Sequence, residues 1–256
     1  MTRRREEALD ASARLGRVTF DAIIFDLDGT LVDSRPGIEA ACVVALAEEA
    51  PGVELPSIAE LLGRPLDGLV AMIGADLSGE RRAAVQAAFT RYYDSEGWRL
   101  SKPYAGVGEA LSALREVGVR LFVATNKRCG PAMHILRAAD LAPAVDAIYA
   151  VDSVVPPFTD KSAMAAACIE AHGLEPVSTL VVGDSEDDRV MAADHGLSFA
   201  AAAWGYGDAA TRVAEGDVAS VDFFGATAHR PMQMVLDSIR DLTTLVIAQS
   251  RSGRNP

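Results

Sequence analysis

Short apolar runs that alternate with amphipathic stretches restrict the fold of this chain more than any other feature of its sequence. The runs are rich in β-favouring residues and are VTFDAIIFD (18–26), VRLFVAT (119–125), AIYAVD (147–152), TLVVGD (179–184) and LSFAAAA (197–203). Helical patterns lie between them at 107–117, 132–141 and 161–173. Strands that are apolar along their length are typical of parallel sheets covered on both faces. The alternation therefore predicts an α/β fold with a Rossmann-like, doubly wound parallel sheet as its core.

The region 36–103 does not follow this alternation of strand and helix patterns. Helical patterns occur there at 37–50, 57–63, 66–73 and 79–97, with no convincing strand. The turn-forming segments Arg35-Pro36-Gly37 and 102–106 flank the region and suit two hinge crossings between a core and a lid. We therefore predict an N-terminal arm (1–17), a core (18–35 and 104–256) and an inserted all-helical cap domain (36–103).

Charge and cysteine content exclude several classes of partner. A formal net charge of −12 disfavours nucleic acid and anionic membranes, which bind through positive charge, so small molecules are the expected partners. Cys42, Cys129 and Cys168 are widely spaced and form no CxxC pair, which indicates neither a disulfide framework nor a zinc site. The first residues lack the apolar stretch of a signal peptide, and no apolar run approaches the roughly 20 residues that cross a bilayer. We expect a cytoplasmic protein.

The segment Asp26-Leu27-Asp28-Gly29-Thr30 places two carboxylates where the first strand ends. A glycine at this point lets the backbone turn sharply. Two acids so close together are costly without a cation, and Mg²⁺ prefers such hard oxygen ligands. The segment therefore predicts a Mg²⁺ site, whereas the alternative is a polar loop with a capping aspartate.

A second acidic cluster follows a later strand. Asp184, Glu186, Asp187 and Asp188 lie within five positions after Gly183. If the two strands are neighbours, Asp184 can face Asp26 and complete the metal site, and Asp188 can hold ligands or a lysine in place. The alternative is a helix N-terminus that is rich in acids because they interact favourably with the helix dipole.

Two further segments offer groups that bind phosphate. Thr125-Asn126-Lys127 ends a strand and supplies a hydroxyl, an amide and backbone N–H groups near a helix start. Lys161 opens a helix and can bring positive charge to a phosphoryl group. Either residue type alone is common on protein surfaces, so the weight of these segments comes from their order relative to the acidic ones.

Taken together, these four segments resemble in order and context the four motifs of the haloacid dehalogenase-like superfamily. The segments are Asp26 to Thr30, Thr125-Asn126, Lys161 and Gly183 to Asp188. The resemblance implies a phosphohydrolase that forms an aspartyl-phosphate. It implies that Asp26 is the nucleophile and that Asp28 is the general acid and then the base.

The resemblance also implies the remaining contacts of the site. Thr125 and Asn126 would bind the phosphoryl group, and Lys161 would neutralise it. The Asp26 side chain, the Asp28 backbone carbonyl and Asp184 would hold Mg²⁺, with Asp188 in support. Many relatives have prolines around the motif lysine, whereas this chain has Asp160-Lys161-Ser162, which leaves Lys127 as the alternative lysine.

Within this superfamily, the chain is most similar to the phosphoglycolate phosphatase-like branch. The similarity lies in DGTLVDSRPGI, in the insertion after it and in KPYAGVGEALSALREVGVRLFVATNK. The branch implies a small phosphorylated metabolite as substrate and leaves the identity of this metabolite open. The oligomeric state, monomer or homodimer, also stays open. Arg64 is a candidate cap contact, but a solvated helix-end arginine is the favoured interpretation.

Three alternatives keep the fold. A metal-free dehalogenase lacks the second acid that Asp28 provides, a phosphomutase of the β-phosphoglucomutase type shares every core motif, and a non-catalytic binding protein does not need the intact set.

Overall fold

The computed structural model describes residues 19–57, 66–74, 77–214 and 231–252. A six-stranded sheet forms the centre of this part of the chain, and all of its strand pairs are parallel. The strands are β1 (Ala22–Phe25), β4 (Arg120–Thr125), β5 (Ala147–Ala150), β6 (Thr179–Gly183), β7 (Ser198–Ala202) and β8 (Gln233–Leu236), and their order is β5-β4-β1-β6-β7-β8. The chain thus winds outward from β1 in one direction and then returns to build the other half. A crevice at the carboxyl ends of the strands is the usual ligand site of such a sheet.

Helices cover the sheet on both faces. The helices of the described residues are α1 (Arg35–Glu49), α2 (Leu66–Ile73), α3 (Gly79–Ser95), α4 (Val107–Glu116), α5 (Cys129–Ala138), α6 (Lys161–His172), α7 (Glu186–Asp194), α8 (Ala209–Ala214) and α9 (Ile239–Ser252). Short 3-10 helices lie at Gly97–Leu100, Ala142–Ala144 and Pro176–Ser178.

The apolar runs of the central strands are buried because each strand faces helices on both sides. Ile23 and Phe25 of β1 pack in one apolar cluster with α4, α5 and α9. Ala22 and Ile24, which alternate with them, pack in a second cluster with α6, α7 and α8. This arrangement confirms the predicted doubly wound parallel sheet, and the period of two along a strand explains why uninterrupted apolar runs are needed.

The C-terminal segment differs from its sequence-based interpretation. The segment 231–248 reads as helix-like, but Gln233–Leu236 forms the edge strand β8 before α9 begins. Gln233, Met234 and Val235 are partly accessible, so this strand lacks the uniform burial that marks the central ones. The predicted arm 1–17 and the predicted helix 57–63, apart from Ser57, lie outside the described residues.

The insertion, by which we mean residues 36–103, has an apolar cluster of its own. The cluster is formed by one face each of α1, α2 and α3 and includes Ala41, Leu46, Val70, Val85 and Phe89. A short antiparallel ribbon of β2 (Val32–Asp33) and β3 (Lys102–Pro103) joins its two ends to the core. β3 is a small departure from the predicted all-helical composition, because its two residues lie within the range 36–103.

The start of α1 and the 3-10 helix Gly97–Leu100 pack backbone against backbone. A Cβ atom on Gly37 would lie 2.2 Å from the carbonyl oxygen of Gly97. Only a residue without a side chain allows this approach. The first and last helical segments of the insertion are therefore in close contact.

No helix of the described residues is long and apolar enough to cross a membrane.

We predict that Gly37→Ala lowers the free energy of unfolding by about 1–3 kcal/mol, because the new methyl group collides with backbone that cannot rotate away. Gly108→Ala is the matched control, since Gly108 is also in the first turn of a helix and a Cβ atom there would have no neighbour among the described residues within 4 Å. The control should be neutral or stabilising by up to about 1 kcal/mol. Urea denaturation measures both, and equal stability of the two variants would contradict the packing argument.

Candidate active site

Three neighbouring strands bring the sequence motifs to one edge of the sheet. Asp26 follows β1, Thr125 ends β4 and Asp184 follows β6. β1 lies between the other two, with Phe25 opposite Val123 on one side and Val182 on the other. The parallel register therefore places the three motif residues side by side at the carboxyl ends of their strands.

A tight turn after β1 holds the first motif. Leu27 and Leu31 are fully buried and anchor the turn, and the Leu31 backbone N–H donates to the Leu27 carbonyl oxygen at 3.0 Å. Gly29 has a positive φ of 87°, and a Cβ atom there would lie 2.1 Å from a carboxylate oxygen of Asp184. Glycine is thus required both by the turn and by the approach of the second acidic motif.

Asp26, Asp184 and Asp188 form a buried carboxylate cluster. One carboxylate oxygen from each lies within 4.8 Å of the others, and the three residues are 4%, 2% and 0% exposed. Ionised carboxylates at this spacing repel one another strongly in a medium of low polarity. The cluster has the oxygen chemistry and the charge to hold a divalent cation.

Lys161 is the ammonium group that balances this cluster. Its Nζ atom lies 2.8 Å from Asp26 and 2.7 Å from Asp188. Burial acts to lower the pKa of Lys161, but attraction to Asp188 and Asp26 outweighs it and holds the pKa above its ordinary value. Asp160 caps helix α6 by accepting from the Ala163 N–H at 2.8 Å, which fixes Lys161 at the first helical position. Of the two candidate lysines, Lys161 is the one that contacts Asp26.

Asp188 is locked in place by the start of helix α7. Its second carboxylate oxygen accepts from the Ser185 backbone N–H at 3.1 Å and from the Ser185 hydroxyl at 2.5 Å. The Ser185 side chain accepts in turn from the Asp188 N–H, so the pair forms a capping box. The structure therefore supports both interpretations of this acidic segment, because Asp188 caps the helix and also pairs with Lys161.

Burial disfavours the ionised forms of the clustered acids. It raises the pKa of Asp26 well above its ordinary value, the Lys161 ammonium opposes this, and repulsion from Asp188 and Asp184 adds to it. Burial and repulsion from Asp188 raise the pKa of Asp184 to about 6. The backbone N–H groups of Tyr206 and Gly207 partly offset this by donating to Asp184 at 2.9 Å each.

Asp28 pairs with the second candidate lysine, Lys127. The Nζ atom of Lys127 lies 3.0 Å from Oδ1 of Asp28 and also donates to the hydroxyl of Tyr93 at 2.9 Å. Burial acts to lower the pKa of Lys127, but Asp28 and Tyr93 outweigh it and raise the pKa. The two lysines thus pair with different aspartates of the first motif.

The remaining members of the predicted site lie next to this pair. Thr125 is buried, and its hydroxyl oxygen accepts from the Lys127 backbone N–H at 3.1 Å. The Asn126 side-chain amide donates to Asp187 at 3.2 Å, which links the second motif to the fourth. All seven predicted site residues therefore line one edge of the sheet, and Arg64 lies outside the described residues.

Sequence reasoning missed the loop 204–208. This loop supplies the two N–H donors to Asp184, and a Cβ atom on Gly205 would lie 2.4 Å from the Asp184 Cβ atom. The hydroxyl of Tyr206 lies 3.1 Å from the Ser34 Oγ atom at the start of α1. The two glycines that flank Tyr206 after a strand end were the available signal, since such spacing lets backbone approach a ligand or a carboxylate.

Comparison with known proteins agrees with this geometry. Residues 23–202 match the family model "Haloacid dehalogenase-like hydrolase". The chain is 36% identical over 191 residues to a phosphoglycolate phosphatase of Cereibacter sphaeroides. The aligned region covers 72% of this chain and 85% of that protein. It is 33% identical over 193 residues to the tyrosine-protein kinase PtkA of Mycobacterium tuberculosis, over 73% of this chain and 63% of that protein.

A solved structure extends the likeness to the fold. The crystal structure described as a "predicted phosphoglycolate phosphatase" from Haemophilus somnus superposes with a TM-score of 0.73 at 24% identity, over 90% of this chain and 99% of that one. The chain belongs to the haloacid dehalogenase-like hydrolase family. The predicted likeness to its phosphoglycolate phosphatase branch is confirmed, and with it the prediction of a phosphatase-type hydrolase.

The raised pKa of Asp184 predicts a pH-dependent stability. A carboxyl group whose pKa is higher in the folded than in the unfolded state favours folding when protonated, and this contribution is lost as the pH rises through the folded pKa of about 6. Without divalent cations, Asp184→Asn should match the wild-type protein at about pH 4 and exceed its free energy of unfolding by about 2 kcal/mol at about pH 7. Urea denaturation at several pH values tests this, and a difference that does not change with pH would refute it.

Proposed function

We propose that this protein is a Mg²⁺-dependent phosphatase that hydrolyses a small phosphorylated metabolite through an aspartyl-phosphate on Asp26. The observation that carries the proposal is the position of the Asp26 carboxylate, which lies in a buried cluster with Asp184 and Asp188 and 2.8 Å from the Lys161 ammonium. A carboxylate held this way suits attack on phosphorus, because its neighbours can offset the charge of the incoming phosphate.

The residues of the site fit a divalent cation. Four carboxyl groups, those of Asp26, Asp28, Asp184 and Asp188, lie with two ammonium groups, so the fully ionised set has an excess of two negative charges, which matches the charge of a divalent cation. The Asp26 side chain, the Asp28 backbone carbonyl and Asp184 would hold Mg²⁺, with Asp188 in support. Bound there, the cation would neutralise charge on the phosphoryl oxygens.

The proposed reaction has two steps that share one acid–base group. Asp26 attacks phosphorus, an Asp26 O–P bond forms as the ester P–O bond breaks, and Asp28 gives its proton to the departing oxygen. Asp28 then takes a proton from water, which attacks the phosphorus and releases inorganic phosphate and free Asp26. Thr125 and Asn126 bind the phosphoryl oxygens in both steps, and Lys161 neutralises them.

We further propose that the core comprises 18–35 and 104–256 and that the insertion 36–103 is a cap that selects the substrate. The separate apolar cluster of α1, α2 and α3 and the ribbon of β2 and β3 support this division. The Cereibacter sphaeroides relative supports a phosphoglycolate-like metabolite as substrate, whereas PtkA is described as a tyrosine-protein kinase. Proteins this similar to the chain thus carry different activities, so the substrate must be found by screening phosphorylated metabolites.

Removal of the metal should abolish activity. We expect Mg²⁺ to raise the melting temperature of the protein and EDTA to stop hydrolysis of p-nitrophenyl phosphate. Asp184→Asn should weaken Mg²⁺ binding by more than about tenfold, because a direct ligand matters at least as much as the outer-sphere groups of metal sites. Asp208→Asn is the control, since Asp208 belongs to the same loop 204–208, but its side chain is 57% exposed and pairs with Arg212. Isothermal titration calorimetry measures the affinities, and full turnover in excess chelator would refute the metal assignment.

Replacement of Asp28 should trap the phosphorylated enzyme. p-Nitrophenolate leaves as a stable anion and needs little acid help, whereas hydrolysis of the acyl-phosphate still needs a base. Asp28→Asn should therefore release a burst of p-nitrophenol and then turn over slowly. Acid quenching and peptide mass spectrometry should find phosphate on Asp26.

The double variant Asp26→Asn/Asp28→Asn controls for adventitious labelling and should give neither burst nor label. A label on another residue, or a folded Asp28→Asn variant without burst or label, would contradict the assignment of the two aspartates.

A further inference from the structure

Lys127 is a second buried lysine that the proposed chemistry leaves without a task. Its side chain is 8% exposed, and the motif position that neutralises phosphate is filled by Lys161. A buried ammonium group is costly unless it is paired and hydrogen-bonded. The contacts that satisfy Lys127 therefore indicate what it does.

One contact of Lys127 is with the proposed acid–base group. Its Nζ atom lies 3.0 Å from Oδ1 of Asp28. That oxygen is buried and accepts no hydrogen bond of good geometry from the described residues. Among the described ion pairs, the ammonium of Lys127 is thus the cation that lies against this carboxylate.

The other contacts of Lys127 are with the insertion. Nζ donates to the Tyr93 hydroxyl at 2.9 Å and lies 4.7 Å from the centre of its ring. Tyr93 is on α3 and is 3% exposed. A cation that both donates to the hydroxyl and faces the ring is restrained in two directions.

Tyr93 in turn is held at the base of the insertion. Its ring stacks on Phe89 with centroids 5.6 Å apart. A Cβ atom on Gly97 would lie 2.9 Å from the ring, and one on Gly37 would lie 3.4 Å from it. The ring therefore packs next to both Gly37 and Gly97, and we expect a change in the spacing of these two segments to move Tyr93, the partner of Lys127.

We propose that Lys127 is a positioning residue for Asp28 and that Tyr93 holds it in place, so that the acid–base carboxylate is oriented only while α3 is docked against the core. This inference rests on the proposed function, because it assumes that Asp28 transfers protons.

A neighbouring ion pair provides a matched control. Arg128 donates to Asp94 through both of its terminal nitrogens, one of them 2.7 Å from a carboxylate oxygen. Arg128 and Asp94 follow Lys127 and Tyr93 in sequence, so this pair joins the same two segments. Both of its side chains are more exposed, at 29% and 38%, and neither contacts Asp28 in the described hydrogen bonds and ion pairs. It therefore tests docking of α3 without the link to the carboxylate.

The test compares two esters that differ in their need for acid help. Phenolate is a poorer leaving group than p-nitrophenolate, so loss of a well-placed acid lowers kcat/KM for phenyl phosphate more than for p-nitrophenyl phosphate. We define the ratio as kcat/KM for p-nitrophenyl phosphate divided by kcat/KM for phenyl phosphate. Asp28→Asn sets the maximum increase in this ratio. Lys127→Met should raise this ratio at least about tenfold, a part of the 10²–10⁴-fold that acid–base catalysis contributes. Tyr93→Phe, which removes one oxygen and keeps the ring, should raise it a few-fold.

The decisive arm is the double variant. If Lys127 acts through Asp28, adding Lys127→Met to Asp28→Asn should not raise the ratio further, whereas a direct contact with substrate would still lower kcat/KM for both esters in that background. Asp94→Asn should leave the ratio unchanged even if it alters KM.

Three results would overturn the inference while leaving the proposed function intact. The first is an equal loss of kcat/KM for both esters in Lys127→Met and Tyr93→Phe. The second is a change of the ratio in Asp94→Asn that is as large as in Tyr93→Phe. The third is that Lys127→Met changes kcat/KM in the Asp28→Asn background as much as in the wild-type background. Wild-type protein that hydrolyses neither ester with Mg²⁺ would overturn the proposed function itself and this inference with it. Tyr93→Phe keeps the test open if Lys127→Met does not fold.

Discussion

The concentration of buried negative charge around Asp26 is the constraint on which the rest of the structure depends. Asp26, Asp184 and Asp188 bring carboxylate oxygens within 4.8 Å of one another, and only paired or metal-bound charges are tolerated at such depth. The surrounding structure is arranged to meet this cost: Lys161 is fixed at a helix start, and the loop 204–208 turns two backbone N–H groups toward Asp184. Gly29 and Gly205 permit the close approach that these contacts need.

The sequence predicts this site well where position along a strand determines it. Asp26, Thr125 and Asp184 each end a buried parallel strand, and because parallel strands share one carboxyl edge, their proximity follows from the pattern of apolar runs. The preference for Lys161 over Lys127 came from the resemblance, because the sequence does not show which lysine the fold brings within 2.8 Å of Asp26. The donors from loop 204–208 escaped notice because they are backbone groups, which any residue provides. The edge strand β8 escaped because its residues are partly accessible and lack a continuous apolar pattern.

The insertion is the part of the molecule where the sequence is least informative about function. Its helices carry none of the four motifs, and its apolar cluster requires only residues of suitable size. Relatives of about one third identity include a phosphoglycolate phosphatase and a protein described as a tyrosine-protein kinase, and both match most of this chain. A shared fold and shared core therefore do not determine the substrate, which depends on side chains that differ between relatives.

The loop 126–128 connects the candidate active site of the core with the insertion. Its three residues contact different parts of the molecule: Asn126 donates to Asp187 of the fourth motif, Lys127 pairs with Asp28 of the first, and Arg128 pairs with Asp94 of the insertion. Because the residues are consecutive, the positions of these three side chains depend on one short backbone segment. Under the proposed roles, a substitution in α3 would alter the geometry of the proposed acid–base group without touching the substrate. Changes in the proposed cap would then act on substrate choice and on the chemical step together.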